Sequence, residues 1–124
     1  MKEISYESIT KFQLEFKKLE KKFRTLSDDL EMAKKAAIEL FHIKKLNNQS
    51  VFPIPSFCLE TVLVYKLKKF ACRALKGKGN KSGIRIIYAF YPAENRVVFI
   101  EIYYKADKEN ENYERIREYL KNKS

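Results

Sequence analysis

The chain has 124 residues, of which 45% are hydrophobic and 34% charged, with only three glycines and three prolines. This length and composition predict one globular domain over residues 1–124 and exclude disordered, collagen-like and low-complexity chains. Lysine and arginine outnumber aspartate and glutamate by 26 to 16, a formal net charge of +10, which favours a polyanionic partner.

Membrane and metal chemistry are not expected from this sequence. No apolar run approaches the roughly 20 residues of a membrane helix, and the chain does not open with the pattern of a signal peptide. We therefore expect a soluble cytoplasmic protein. Cys58, Cys72 and the single histidine, His42, are too few for a disulfide framework or a tetrahedral zinc site, so we expect no metal and no cofactor.

The first half of the chain predicts a short strand followed by two helices. Residues 2–6 are the candidate strand. Two apolar stripes with a helical period follow it: Ile9, Phe12, Phe16, Leu19 and Phe23, then Leu26, Leu30, Ala33, Ala37 and Phe41. Residues 25–28 have capping-box spacing, and the short join predicts an antiparallel helical hairpin. His42 falls in the last helical turn, where a favourable terminal position is the expected role.

The second half predicts strands and a final helix. Residues 44–57 contain Pro53 and Pro55 and are expected to form a connecting loop. Strands are expected over 61–73, with a bulge near Lys68 or an early end, and then over 84–91 and 96–105 by strict alternation. A helix should begin near Tyr113. The order β-α-α-β-β-β-α predicts an α+β fold, in which the hairpin covers one face of an antiparallel sheet.

The other sheet face should carry an unusual set of cations, at least partly open to solvent. No acid occurs between Glu60 and Glu94, a stretch that holds Lys66, Lys68, Lys69, Arg73, Lys76, Lys78, Lys81 and Arg85. Eight uncompensated cations repel one another and invite a polyanion, although a solvated basic face that only aids solubility is the simpler alternative.

RNA cleavage is one reaction that such a surface can catalyse without metal. The ribose 2′-hydroxyl is the nucleophile, so the protein must accept its proton, neutralise the phosphorane and protonate the leaving oxygen. Lysines crowded by other cations can act as bases nearer neutral pH, and Arg85 can place two donors on phosphate. Tyr103 and Tyr113 could stack on a base or bond the ribose, with ordinary packing as the alternative.

Several segments together resemble the RelE/ParE toxin superfamily. They are Val64–Phe70, Lys81–Tyr88 with its arginine-bearing GIRIIY run, Val98–Lys105, and the helix from Tyr113 preceded by Lys108. The resemblance covers most of the chain and is weakest over residues 30–60. It implies the toxin of a type II toxin–antitoxin pair.

The resemblance also implies roles for individual residues. Arg85 would stabilise the phosphate, Lys66 and Lys68 would be base and charge stabiliser, Lys105 or Lys108 would be a cation near the end of the last strand, and Tyr113 the aromatic of the last helix. An RNA-binding set would surround them: Lys69, Arg73, Lys76, Lys78, Lys81, Tyr103 and Lys108. The glutamate base that some members carry on the second strand has no counterpart in residues 61–93, and the C-terminal His-Tyr pair of others is also absent.

Three functions remain open at this point. RelE-like members cleave mRNA in the ribosomal A site as metal-independent endoribonucleases, whereas ParE-like members inhibit DNA gyrase without nuclease activity. A RelE-fold protein that binds RNA without cutting it is the third alternative. If the chain is a toxin, the resemblance implies mRNA with the ribosome as the target of a RelE-like member and gyrase as the target of a ParE-like member. In both cases it implies an antitoxin with an acidic, helical segment that lies on the basic sheet or its edge.

Overall fold

The computed structural model of the chain describes residues 3–46, 49–79 and 81–122. Its elements, in chain order, are β1 (Ser5–Ser8), α1 (Thr10–Lys22), α2 (Leu26–Ala33), a π-helical segment (Lys34–Glu39), α3 (Leu40–His42), β2 (Val51–Pro53), a 3₁₀ turn (Pro55–Phe57), β3 (Leu63–Leu67), β4 (Ile84–Tyr91), β5 (Arg96–Tyr104) and α4 (Tyr113–Asn122). The α+β class is confirmed. Residue 2 of the predicted first strand and residues 47 and 48 of the predicted loop lie outside the described residues. No helix in the described part of the chain is long and apolar enough to cross a membrane.

The five strands form one mixed sheet in the order β1-β5-β4-β3-β2. The central pairs are antiparallel, as expected, but β1 pairs in parallel with β5, in the register Ser5 to Arg96 and Ser8 to Phe99. The prediction of a purely antiparallel sheet is therefore wrong. The direction of β1 relative to β5 depends on the path of the chain through the helical hairpin. The alternation of side chains within a strand does not indicate whether its neighbour is parallel or antiparallel.

Residues 44–57 also differ from the prediction of a plain loop. Val51–Pro53 forms an edge strand in which Phe52 is paired with Lys66, and Pro55 begins the 3₁₀ turn. An edge strand tolerates a proline because no neighbour beyond it needs its missing N–H. β3, the strand that pairs with β2, ends at Leu67, so the expected early end of this strand is confirmed.

The helical hairpin covers one face of the sheet, which we call the helix-covered face. Phe12, Phe23 and Leu26 are buried against sheet residues, and the rings of Phe12 and Phe99 lie 5.1 Å apart. Both apolar stripes predicted from the sequence pack into this core, in part as half-buried residues. Burial of this many apolar side chains at roughly 25 cal/mol per Å² is the main stabilising contribution to the fold.

The opposite face carries Lys66 and Arg85, as expected, but it is also partly apolar. A second apolar cluster covers part of it, with Ile116 of α4 and Phe57 of the 3₁₀ turn packed over Val64, Ile87 and Ile100. The alternation of β4 was predicted correctly and supplies the apolar residues of both faces. Polar side chains remain on this face near Lys66 and Arg85, and the candidate site lies there.

A bulge in β5 decides which of its side chains reach that site. Ile87 pairs with Glu101, but the next residue of β4, Tyr88, pairs with Phe99, so Ile100 is the extra residue. Strict alternation over residues 96–105 is therefore wrong, because a bulge reverses the order of faces beyond it. As a result, Val98 and Tyr103 both lie on the opposite face.

Candidate functional site

Three neighbouring strands bring a lysine, an arginine and a tyrosine to the same face. Lys66 of β3 is paired with Ile87 of β4, and Arg85, two residues earlier on β4, is paired with Tyr103 of β5. Residues two apart on a strand share a face, and paired residues on adjacent strands do so as well. The convergence of Lys66 and Arg85 expected from the sequence is thus present, with Tyr103 beside them.

The segment between β5 and α4 adds a carboxylate that the sequence analysis missed. Lys66 Nζ donates to Glu111 Oε1 at 2.7 Å, and the hydroxyl of Tyr103 donates to the same oxygen at 3.1 Å. The Glu111 side chain is only 6% exposed, and that of Lys66 15%. Lys66, Arg85, Tyr103 and Glu111 are called the Lys66 cluster below.

The charge state of Glu111 follows from these contacts. Burial alone raises the pKa of a carboxyl group, but the hydrogen bond and charge of Lys66, with further hydrogen bonds, outweigh it and hold the pKa of Glu111 below its usual value. Glu111 is therefore ionised at neutral pH and can accept a proton. It supplies the acid that residues 61–93 lack, from a position 45 residues beyond Lys66.

A second carboxylate, also missed, holds the same segment in place. Glu101 is fully buried, accepts from the ammonium of Lys108, and accepts from the backbone N–H of Asn112 at 2.8 Å. Lys108 Nζ lies 5.5 Å from the centre of the Tyr103 ring. The pair of Glu101 and Lys108 thus fixes the chain on either side of Glu111 and places Lys108 beside the Lys66 cluster.

Arg85 and Lys68 are the cations left available to an anionic ligand. Arg85 Nη1 donates to the backbone oxygen of Lys68 at 2.7 Å. Lys68 Nζ lies 4.9 Å from the centre of the Phe52 ring. In the described ranges, no carboxylate comes within ion-pair distance of either side chain. Their charges are therefore not neutralised by a partner in the fold.

The two tyrosines predicted for the site differ in accessibility. Tyr103 is 5% exposed, and its burial, followed by the charge of Glu111, raises its pKa. Tyr113 is 45% exposed, its ring stacks on Phe57 at 5.9 Å, and the charge of Glu111 raises its pKa. Both phenols keep their protons at neutral pH. Tyr103 and Tyr113 both hydrogen-bond Glu111, and the more exposed Tyr113 can also reach a ligand.

The remaining predicted residues do not join the Lys66 cluster. Arg73 is anchored to α2, where its Nε donates to Asp29 Oδ1 at 3.1 Å. Lys105 is exposed just beyond β5, and its backbone N–H donates to Gly83. The other four are exposed side chains of the segment that joins β3 to β4: Lys69, Lys76, Lys78 and Lys81. Their role in RNA binding stays a prediction.

His42 has a structural environment away from this site. Its ring is buried on the helix-covered side, stacks on Phe90 at 3.8 Å, and shares a 2.9 Å hydrogen bond with the hydroxyl of Tyr88. Over residues 3–46, 49–79 and 81–122, no group of three His, Cys, Asp or Glu side chains is arranged to hold a metal ion.

Comparison with known proteins identifies no relative: no family model, curated protein or solved structure matches this chain.

Proposed function

We propose that this protein is a metal-independent endoribonuclease of the RelE type, the cytoplasmic toxin of a toxin–antitoxin pair, which cleaves mRNA on the ribosome. The observation that carries the proposal is the convergence of Lys66, Arg85, Tyr103 and Glu111 on one sheet face. Two cations, a buried ionised carboxylate and phenols within reach of one another are the groups that 2′-hydroxyl attack on phosphate requires.

In the proposed reaction, Glu111 accepts the proton of the ribose 2′-hydroxyl. The 2′ oxygen forms a bond to the adjacent phosphorus, and the bond from phosphorus to the 5′ oxygen breaks. Arg85 and Lys66 neutralise the charge that develops on the phosphate oxygens, Arg85 through its two parallel donors. Tyr113, whose raised pKa keeps its phenol protonated, gives a proton to the leaving oxygen. The products are a 2′,3′-cyclic phosphate and a 5′-hydroxyl.

The charge distribution supports the proposed partners. The net charge of +10 suits the phosphates of mRNA and ribosomal RNA, as do Arg85 within the cluster and Lys68 beside it, neither of which has an ion-pair partner among the described residues. The same surface suits an antitoxin that lays an acidic helical segment across it, because its carboxylates would replace the phosphates. Binding of either partner should weaken as salt rises.

The test is inducible expression followed by mapping of mRNA 5′ ends. The wild-type protein should arrest growth and produce new 5′ ends within translated messages, with 2′,3′-cyclic phosphates on the upstream fragments. Arg85→Ala should lower cleavage by at least about 100-fold, as loss of a donor to transition-state charge does elsewhere. Arg24→Ala removes an exposed arginine of the turn between α1 and α2, outside the cluster and the predicted RNA-binding set, and is the matched control.

Glu111→Gln tests the base separately. It should abolish cleavage while the protein stays folded, whereas Glu109→Gln, at an exposed acid two residues earlier, should leave cleavage intact. Full cleavage by Arg85→Ala or by Glu111→Gln would contradict the assigned roles. An SOS response with intact mRNA would instead indicate gyrase inhibition, and salt-sensitive RNA binding without cyclic phosphate would indicate a non-catalytic protein.

A further inference from the structure

An exposed phenylalanine borders the Lys66 cluster and has no role in the reaction described above. Phe52 lies on the edge strand β2, is paired with Lys66, and has 37% of its surface exposed. Because paired residues share a face, its ring lies on the same side of the sheet as the Lys66 side chain. It stands on the side of Lys66 away from β4, at the edge of the sheet that the described strands form.

The surroundings of Phe52 are cationic. Lys66 is its cross-strand neighbour, and the ammonium of Lys68 lies 4.9 Å from the centre of its ring. Lys68 makes no ion pair with the described carboxylates, so an arriving phosphate can attract its ammonium and uncover the ring. An exposed aromatic ring beside cationic side chains is an arrangement by which proteins bind single-stranded nucleic acid, with phosphates on the charges and bases on the rings.

We propose that Phe52 is a stacking platform for a nucleobase of single-stranded RNA bound at the Lys66 cluster. The proposal rests on the proposed function and specifies its substrate. Neighbouring strands are about 4.8 Å apart, so a nucleotide whose phosphate lies between Lys66 and Arg85 places its base over β2. A base within a duplex is already stacked on both faces, so the platform selects unpaired RNA. Stacking tolerates any base, with purines preferred for their larger surface.

The chain contains no tryptophan, so the fluorescence of a single introduced tryptophan reports on its position alone. Phe52→Trp places the only tryptophan on the proposed platform and keeps an aromatic ring there. Titration with a fully 2′-O-methylated oligoribonucleotide, which cannot be cleaved, should quench its fluorescence. An abasic oligonucleotide of the same length should bind through its phosphates without that quenching. Equal quenching by the two oligonucleotides would overturn the proposal.

Affinity measurements separate stacking from charge. Phe52→Leu should weaken binding of the methylated oligoribonucleotide by about five-fold or more, while Phe52→Trp restores it. The slope of the logarithm of the binding constant against the logarithm of the salt concentration should be unchanged in Phe52→Leu. In Arg85→Ala its magnitude should fall by about one, because only this variant removes a phosphate contact. Leu14→Ala, at an exposed leucine of α1, is the control for loss of apolar surface.

The outcomes distinguish the two proposals. If Phe52→Leu binds as the wild type does while Arg85→Ala loses affinity, the platform is wrong and the nuclease proposal survives. If the wild-type protein binds neither oligonucleotide, the platform is overturned, and the nuclease proposal is then decided by the mapping of mRNA 5′ ends alone. Binding that is weakened equally by Phe52→Leu and Leu14→Ala would show a general loss of surface and would also overturn the platform.

Discussion

The pKa of the buried His42 gives a quantitative prediction for the pH dependence of stability. Its measurement is unambiguous because His42 is the only histidine in the chain. Burial, and to a lesser extent the charge of Lys45, lowers the pKa of His42 from 6.5 to about 4. Between these two pH values the unfolded chain binds a proton that the folded protein excludes. The stability that this group contributes is therefore complete above pH 6.5 and is lost as the pH falls towards 4.

The magnitude follows from the two pKa values. At pH 5 an unfolded histidine is almost wholly protonated and His42 in the fold almost wholly neutral, which costs about 2 kcal/mol relative to pH 7. Urea unfolding at both pH values should show this loss in the wild-type protein. His42→Gln retains a group that can hydrogen-bond Tyr88 but does not titrate, so it should lose about 2 kcal/mol less over the same interval. The comparison removes the contribution of the carboxylates, which both proteins share.

A second measurement covers the case in which the variant does not fold. The C2 proton of a single histidine gives one resolved NMR signal, so its titration reports the pKa of His42 directly. A value near 6.5 would refute the reasoning, because a ring that is 6% exposed and stacked on Phe90 at 3.8 Å could then accept a charge without cost. Equal pH profiles for wild type and His42→Gln would refute it as well.

Three further substitutions test the contacts that support the site. Arg73→Ala should lower the free energy of unfolding by about 1–3 kcal/mol, measured in urea, because Asp29 is buried and loses a donor. Arg115→Lys should lower the free energy of unfolding by about 1 kcal/mol, because lysine cannot reproduce the two 2.8 Å hydrogen bonds that the guanidinium donates to Glu15 of α1. Glu101→Gln should speed hydrogen exchange at the Asn112 amide; an unchanged rate would contradict its role in fixing that segment.

Much of the candidate site was predictable because it depends on local pattern. The alternation of residues 84–91 places Arg85 opposite the apolar residues of the helix-covered face, and the structure agrees. The absence of acids from residues 61–93 marked Lys66 and Arg85 as charges in need of a partner. Glu111 was not predictable in this way, because its contact with Lys66 spans 45 residues and has no periodic signature. The polar run after β5 was the only available hint.

Local sequence pattern was enough to predict the α+β class, the helical hairpin and the strands that carry Lys66 and Arg85, since each depends on side chains a few residues apart. Local pattern did not predict that β1 runs parallel to β5, that β2 closes the other edge, or that a bulge turns Tyr103 towards Lys66, because these features depend on long-range packing. The packing of the whole sheet determines which strands pair and where a bulge forms. Residues within one strand keep the same neighbours along the chain whichever partner is chosen.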